Sequence, residues 1–296
     1  MTFPDNIQYI PIDDPRYPPL LRQISDPPKG LYVRGTLLDV PCISVVGTRR
    51  CTSYGKRATQ EIIRDLVSSG LGIVSGLALG IDAEAHKATL DAGGYTIAIL
   101  GTGIDEATIY PREHLKLAHQ ILENGGALVS ENPPRSPSFK HAFPRRNRLI
   151  AGWTPATLVI EAGENSGSLI TAKLALEYNR EVLAIPGSIW SDVSMGCNRL
   201  LSLGASVCTS SQDVIKSLKL DRPELISQVR ASLPLTAEES NLLSHINGHI
   251  HIDDLATQAG LNSATASAHL SLLEMKGYVA QLGGQFWSKT TSRLHR

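Results

Sequence analysis

Cys42-Ile43-Ser44-Val45-Val46-Gly47 runs straight into Thr48-Arg49-Arg50-Cys51-Thr52-Ser53-Tyr54-Gly55. The first six residues are a short apolar run closed by glycine, and a helical stretch over about 55–69 follows the loop. The unit repeats along the chain. Apolar runs at 42–47, 72–76, 96–101, 127–131, 157–162, 181–187 and 205–209 alternate with helical stretches near 55–69, 80–92, 111–124, 166–179, 196–203 and 211–219. Runs that are apolar throughout must be buried on both sides. The alternation therefore predicts a parallel sheet covered by helices on both faces.

Outside this α/β domain, taken as 41–219, the pattern changes. Residues 1–40 are rich in Pro and Asp, with Tyr17-Pro18-Pro19 and Asp26-Pro27-Pro28, and read as an arm packed on the core. Residues 220–235, with Pro223 and Pro234, read as a linker. Within 236–296, helices are expected over 236–247, 252–259 and 263–276. Thr236 caps the first, with Glu239 at its third helical position. A hairpin over 277–289 turns at Gly283-Gly284. Three helices and a hairpin describe a winged helix-turn-helix domain.

The chain of 296 residues suits about two domains. A net charge of zero, 42% hydrophobic and 19% charged residues exclude bulk disorder, a collagen-like repeat and a coiled coil. They also exclude a polycation, so any nucleic-acid site must be a local patch. No apolar run approaches the roughly 18–20 residues needed to span a bilayer. Met1-Thr2-Phe3-Pro4-Asp5 lacks the features of a secretory signal. Cys42, Cys51, Cys197 and Cys208 form no CxxC pair, and a reduced, cytoplasmic compartment is the simplest expectation.

In an open parallel sheet, ligands sit at the carboxyl ends of the strands. Gly47 there permits a sharp turn. Thr52 or Ser53 can cap a helix whose N-terminus attracts an anion, and Arg49 and Arg50 add bidentate phosphate contacts. A tight turn with solvated arginines fits this loop equally well. It is neither GxGxxG nor a P-loop, and the second strand ends in Ser75-Gly76 with no ribose-binding carboxylate. Ser75-Gly76 and Ser166-Gly167-Ser168-Leu169-Ile170-Thr171 also place small residues before helices. Several such ends on one edge suit more than one phosphate. The densest signal is 135–148, with Arg135, Lys140, Arg145, Arg146 and Arg148, no acidic residue, and Phe139 and Phe143 interleaved. Cations that follow a backbone, with rings that stack on bases, are what single-stranded nucleic acid requires. Asp82 and His86, four apart on one helix, read as a structural pair, with Asp82 bracing the preceding loop. No nucleophile–base set or metal-ligand spacing is evident.

These residues, in this order, resemble the DNA-processing protein A (DprA/Smf) family from about Tyr17 to the C-terminus. The resemblance rests on Val46-Gly47-Thr48-Arg49, Gly80-Ile81-Asp82 and Phe143-Pro144-Arg145-Arg146-Asn147-Arg148. Ser166-Gly167-Ser168, Pro186-Gly187 and Gly196-Cys197-Asn198 complete it. It implies an extended Rossmann-like core that homodimerises and needs no nucleotide cofactor. The implied activity is non-catalytic: binding single-stranded DNA in natural transformation and helping to load the RecA recombinase. The DNA-binding residues expected on both grounds are Gly47, Arg49, Arg50, Ser53, Gly76, Lys140, Phe143, Arg145, Arg146, Asn147, Arg148, Gly167, Ser168 and Thr171. Arg49→Ala and Arg146→Ala are each expected to lower affinity and flatten its salt dependence. Leu79 and Trp153-Thr154 depart from the family pattern, which bears on affinity and on local packing respectively.

Two other readings compete. A phosphoribohydrolase of the lysine-decarboxylase-like (LOG) group has a related core, but its Pro-Gly-Gly-x-Gly-Thr-x-x-Glu signature is absent. A transcription regulator would be led by the winged helix. From Thr236 to Thr290, however, acidic Glu238, Glu239, Asp253, Asp254 and Glu274 outnumber Lys276 and Lys289. Phosphate attraction supplies most non-specific affinity. Residues 230–296 alone should therefore bind duplex DNA poorly in a gel shift; tight, salt-sensitive binding would refute this.

Overall fold

The computed structural model describes residues 7–139, 142–218, 236–246, 248–275, 278–281 and 284–289. Lys140 and the expected linker 220–235 lie outside the described residues. The chain divides into two compact units, Met1–Leu218 and Lys219–Arg296.

The first unit is a nine-stranded sheet in the order β1-β2-β6-β5-β4-β3-β7-β8-β9. The strands are β1 (Ile7–Pro11), β2 (Gly30–Gly35), β3 (Cys42–Val46), β4 (Gly72–Ser75), β5 (Thr96–Ile99), β6 (Ala127–Ser130), β7 (Ala156–Val159), β8 (Glu181–Ala184) and β9 (Ser206–Val207). From β6 to β9 every pairing is parallel. The helices are α1 (Ser53–Ser68), α2 (Ile81–Asp91), α3 (Leu115–Glu123), α4 (Ala142–Trp153), α5 (Gly167–Glu177), α6 (Met195–Ser202) and α7 (Ser211–Ser217).

Side-chain alternation shows why both faces are covered. Ile97 and Ile99 of β5 join Val74 and Val159 in a core with Leu149 and Ile150 of α4 and Ala172 and Ala175 of α5. Ala98 and the following Leu100 point the other way, into a core with Ala83 of α2 and Leu117 and Ile121 of α3. Each fully buried Leu or Ile contributes about 1.5–3 kcal/mol. An apolar residue is therefore favoured at every position of a doubly covered strand.

The N-terminal segment does more than lie on the core: it supplies β1 and β2, an antiparallel pair joined to β6. Pro11 at the end of an edge strand removes no needed ladder bond. A second difference concerns 142–153, where the alternation predicts no element and the structure forms α4. Its apolar residues Leu149, Ile150 and Trp153 recur at helical spacing and pack on the sheet. Ser44 ties the helix end to β3. Its N–H donates to Thr154 Oγ1 at 3.0 Å and its hydroxyl donates to the Ile150 carbonyl at 2.7 Å. The departure at Trp153-Thr154 is thus absorbed into a buried hydrogen-bonded joint.

The chain lays down β3 to β6 in one direction. It then returns along α4 to start β7 on the other side of β3. The order of strands reverses between β3 and β7, which opens a crevice at their carboxyl ends.

The second unit holds α8 (Ala237–His245), α9 (Ile252–Ala259) and α10 (Ser263–Met275). Its sheet, β10 (Ile250–His251), β12 (Phe286–Lys289) and β11 (Val279–Gln281), is antiparallel. Thr236 and Glu239 form a reciprocal capping box, as expected. Leu242, Leu255, Leu270, Val279 and Trp287 share one core. This is a winged helix. No described helix is long and apolar enough to cross a membrane.

Candidate nucleic-acid interface

A cleft of about 550 Å³ lies at the β3/β7 crevice. Gly47, Thr48, Arg49 and Arg50 after β3 form one wall. Asn165, Ser166, Gly167, Ser168 and Thr171, where α5 begins, form another, and α4 contributes Phe143, Arg146 and Asn147. Arg49 and Arg50 are exposed. A side chain at position 47 would collide with Ile81 of α2, so the turn after β3 requires glycine.

The helix N-termini here are not equivalent. Thr52 caps α1, but the loop is closed by the protein's own carboxylate. Glu161, 2% exposed, accepts from Thr52 N–H at 2.9 Å and from the Thr52 hydroxyl at 2.6 Å. A side chain at Gly55 would strike that carboxylate. The anion expected at α1 is therefore internal, and Ser53 is exposed outside the cleft lining. The α5 N-terminus is open. Ser166 caps it, its hydroxyl 2.7 Å from that of Ser168, and a Cβ on Gly167 would meet nothing within 4 Å. Unmet N–H groups at a helix start attract an anion.

Arg146 is buried, not solvent-facing. Its Nη1 donates to the Gly76 carbonyl at 2.6 Å and to the Ile99 carbonyl. Gly76 therefore acts through its backbone in this brace and has no room for a side chain beside the guanidinium. Asp82 accepts from Gly76 N–H at 3.1 Å and Ala78 N–H at 3.4 Å, which confirms it as a loop brace. Burial pushes the Asp82 carboxyl up, opposed by the charge of Arg146 and the loop amides. Burial likewise lowers Arg146 to about 10, with Asp82 pulling it back up. Asp82 and His86 do not act on a shared partner: His86 Nδ1 lies 2.7 Å from Thr96 Oγ1, and burial takes its pKa to about 3.

The acid-free run 135–148 is not acid-free in space. Arg148, buried, pairs with Glu131 and lies 3.4 Å from Asp26. Arg145 is 3.4 Å from Glu131, and Arg135 is 3.5 Å from Asp105. Neither Arg145 nor Arg148 lines the cleft. Glu131, just past β6, folds back onto the run, which residue spacing did not reveal. Nine of the fourteen expected residues do line the cleft: Gly47, Arg49, Arg50, Phe143, Arg146, Asn147, Gly167, Ser168 and Thr171.

Phe143 is half-buried. Its ring centroid is 5.6 Å from that of Tyr110, and the Arg49 guanidinium lies 6.0 Å above it. Tyr110, 49% exposed, carried no periodic or motif signal; only the fold brings it beside Phe143.

The family model described as DNA recombination-mediator protein A matches residues 8–219, and that of the DprA winged helix domain matches 227–285. The chain belongs to the DNA recombination-mediator protein A family. Among its relatives, Protein Smf of Escherichia coli is 39% identical over 95% of this chain and 77% of its own length. The DNA processing protein DprA of Streptococcus pneumoniae is 44% identical over 68% of this chain and 71% of its own. Among solved structures, S. pneumoniae DprA matches with a TM-score of 0.67 at 41% identity, covering 72% of this chain and 74% of that one. The protein of Helicobacter pylori, described by its single-stranded DNA binding mode, matches with a TM-score of 0.64 at 33% identity, covering 73% and 98%. The recombination-mediator fold thus carries the cleft at its strand-order reversal.

Proposed function

We propose that this protein binds single-stranded DNA along the carboxyl edge of its α/β unit, as a recombination mediator that acts without catalysis. The observation that carries the reading is the open α5 N-terminus facing exposed Arg49 and Arg50 across one cleft. Two kinds of phosphate partner converge there, and a ring platform of Phe143, Tyr110 and Arg49 stands beside them. The H. pylori relative's single-stranded DNA binding supports the same assignment. The groups proposed to touch DNA are Gly47, Arg49, Arg50, Phe143, Asn147, Gly167, Ser168 and Thr171, with Arg145 at the margin; Lys140 is proposed as a contact from its place in the sequence alone. Arg146 and Gly76 brace the floor, and Arg148 is taken up by Glu131 and Asp26. A role in natural transformation, assistance to RecA loading, a homodimer formed through the α/β domain and a cytoplasmic setting complete the proposal and rest on family membership. The division into a 1–40 arm, a 41–219 binding domain, a 220–235 linker and a 236–296 winged helix rests on the sequence pattern.

Fluorescence anisotropy with labelled oligo(dT) and with duplex of equal length tests this. The single strand binds more tightly, and log K falls linearly with log salt. In Arg49→Ala/Arg50→Ala the slope falls by about 0.7 for each phosphate that is no longer neutralised. Preference for one duplex sequence would favour the transcription-regulator reading instead.

A further inference from the structure

The loop after β8, residues 185–194, carries the most exposed large apolar side chain among the described residues: Trp190, 89% exposed, beside Ile189, 74% exposed. Asp192 and Val193 of the same loop line the cleft. Two Cα–Cα steps of 3.8 Å separate Trp190 from Asp192, so its backbone lies within about 8 Å of the lining.

We propose that Trp190 is a base-stacking platform that extends the single-stranded DNA track beyond the cleft, on the side away from Phe143. The inference rests on the single-strand reading above and adds a second aromatic contact to it. The loop is held in place without the indole. Gly187 N–H donates to Asn198 Oδ1 at 3.2 Å, and Asn198 Nδ2 donates back to the Gly187 carbonyl at 3.0 Å. Trp190 N–H donates to Ser188 Oγ at 3.2 Å, Ser191 N–H to the Ser188 carbonyl at 3.1 Å, and the Tyr54 hydroxyl to the Pro186 carbonyl at 2.8 Å. An indole presented on a fixed loop loses little freedom when a ligand covers it.

Charge decides what part of the nucleic acid it meets. Residues 185–198 contain no Lys or Arg and one acid, Asp192. This loop offers phosphate no cation, so the backbone runs toward Arg49, Arg50 and α5, while the bases turn to the indole. Strand order sets the spacing. Phe143 packs by Gly101, just past β5, and β8 lies four strands from β5. At about 4.8 Å per strand, the two aromatic stations flank the basic centre by about 19 Å.

The test compares the full chain with Trp190→Ala and Trp190→Phe, using oligo(dT) from about 4 to 16 nucleotides. Trp153 and Trp287 are 9% and 4% exposed, so the solvent-facing indole signal belongs to Trp190. In the wild type, oligo(dT) quenches that signal. The shortest oligomers bind all three proteins alike. The longer ones bind Trp190→Ala about five- to a hundredfold more weakly, with an unchanged salt slope, and Trp190→Phe recovers most of the loss. Equal binding by wild type and Trp190→Ala at every length, or no quenching of bound wild type, overturns this inference and leaves the cleft reading intact. A change of oligomeric state in Trp190→Ala, measured by sedimentation, also overturns it, because the ring then belongs to a protein contact. Failure of the wild type to bind any oligo(dT) overturns the single-strand reading itself.

Discussion

Arg146→Ala will destabilise the α/β unit by about 2–6 kcal/mol, because two buried carbonyls lose their donor at about 1–3 kcal/mol each. The reason lies in what the guanidinium holds. Without it, the carbonyls of Gly76 and Ile99 are left without a buried donor, and the Asp82 carboxylate is left without the cation that offsets its burial. Arg145→Ala, one residue away but exposed, should stay within about 0.5 kcal/mol. The pH dependence separates this account from simple loss of packing. Burial already holds the Asp82 carboxyl above its usual range, and loss of Arg146 raises it further. A group raised on folding contributes stability that is present below its unfolded pKa and is lost as pH rises through the folded one. The deficit of Arg146→Ala is therefore smallest in acid and grows toward neutrality. Urea midpoints at about pH 4 and pH 7 measure it. A deficit that does not change with pH would remove Asp82 from the argument, and a wild-type midpoint at neutral pH would remove the brace altogether. The flattened salt dependence expected of an Arg146 phosphate contact is replaced by a loss of stability.

Gly167→Asp separates binding from folding in the opposite sense. A Cβ at Gly167 meets nothing within 4 Å, and its φ lies outside the left-handed region. A carboxylate in the first turn of α5 suits the helix dipole, by about 0.3–1 kcal/mol. Thermal stability should therefore hold or rise slightly. The same carboxylate occupies the place proposed for a phosphate. Loss of a charge-assisted hydrogen bond costs about 1.5–3 kcal/mol, so oligo(dT) affinity should fall roughly ten- to a hundredfold. Gly167→Ala, without the charge, should lose much less. Wild-type affinity in a folded Gly167→Asp protein would move the DNA path away from α5.

Much of this was legible in local pattern. The runs at Val45-Val46-Gly47 and Ile73-Val74-Ser75 read as doubly buried strands because apolar burial dictates their composition. The Thr236 cap was legible, and Thr52 as one of two candidates with Ser53, because a cap is a contact between near neighbours. β2 was not legible because it is four central residues between glycines in a segment dominated by Pro and Asp. α4 was hidden because its basic N-terminal half masked the helical spacing of Leu149, Ile150 and Trp153.

Local pattern sufficed for the α/β alternation, the winged helix and the strand ends that border the cleft. Each of these follows from periodicities of two or 3.6 residues and from turn chemistry, all of which act over a few positions. Which helix N-terminus stays open, and which cations remain available, depends on the folded path of the chain. Glu161 closes α1 across 109 residues, and Glu131 and Asp26 neutralise Arg148 from other elements. Charge and hydrogen bonding act through space, so a guanidinium's role is settled by the carboxylate or carbonyl that the chain's path brings within about 3 Å of it.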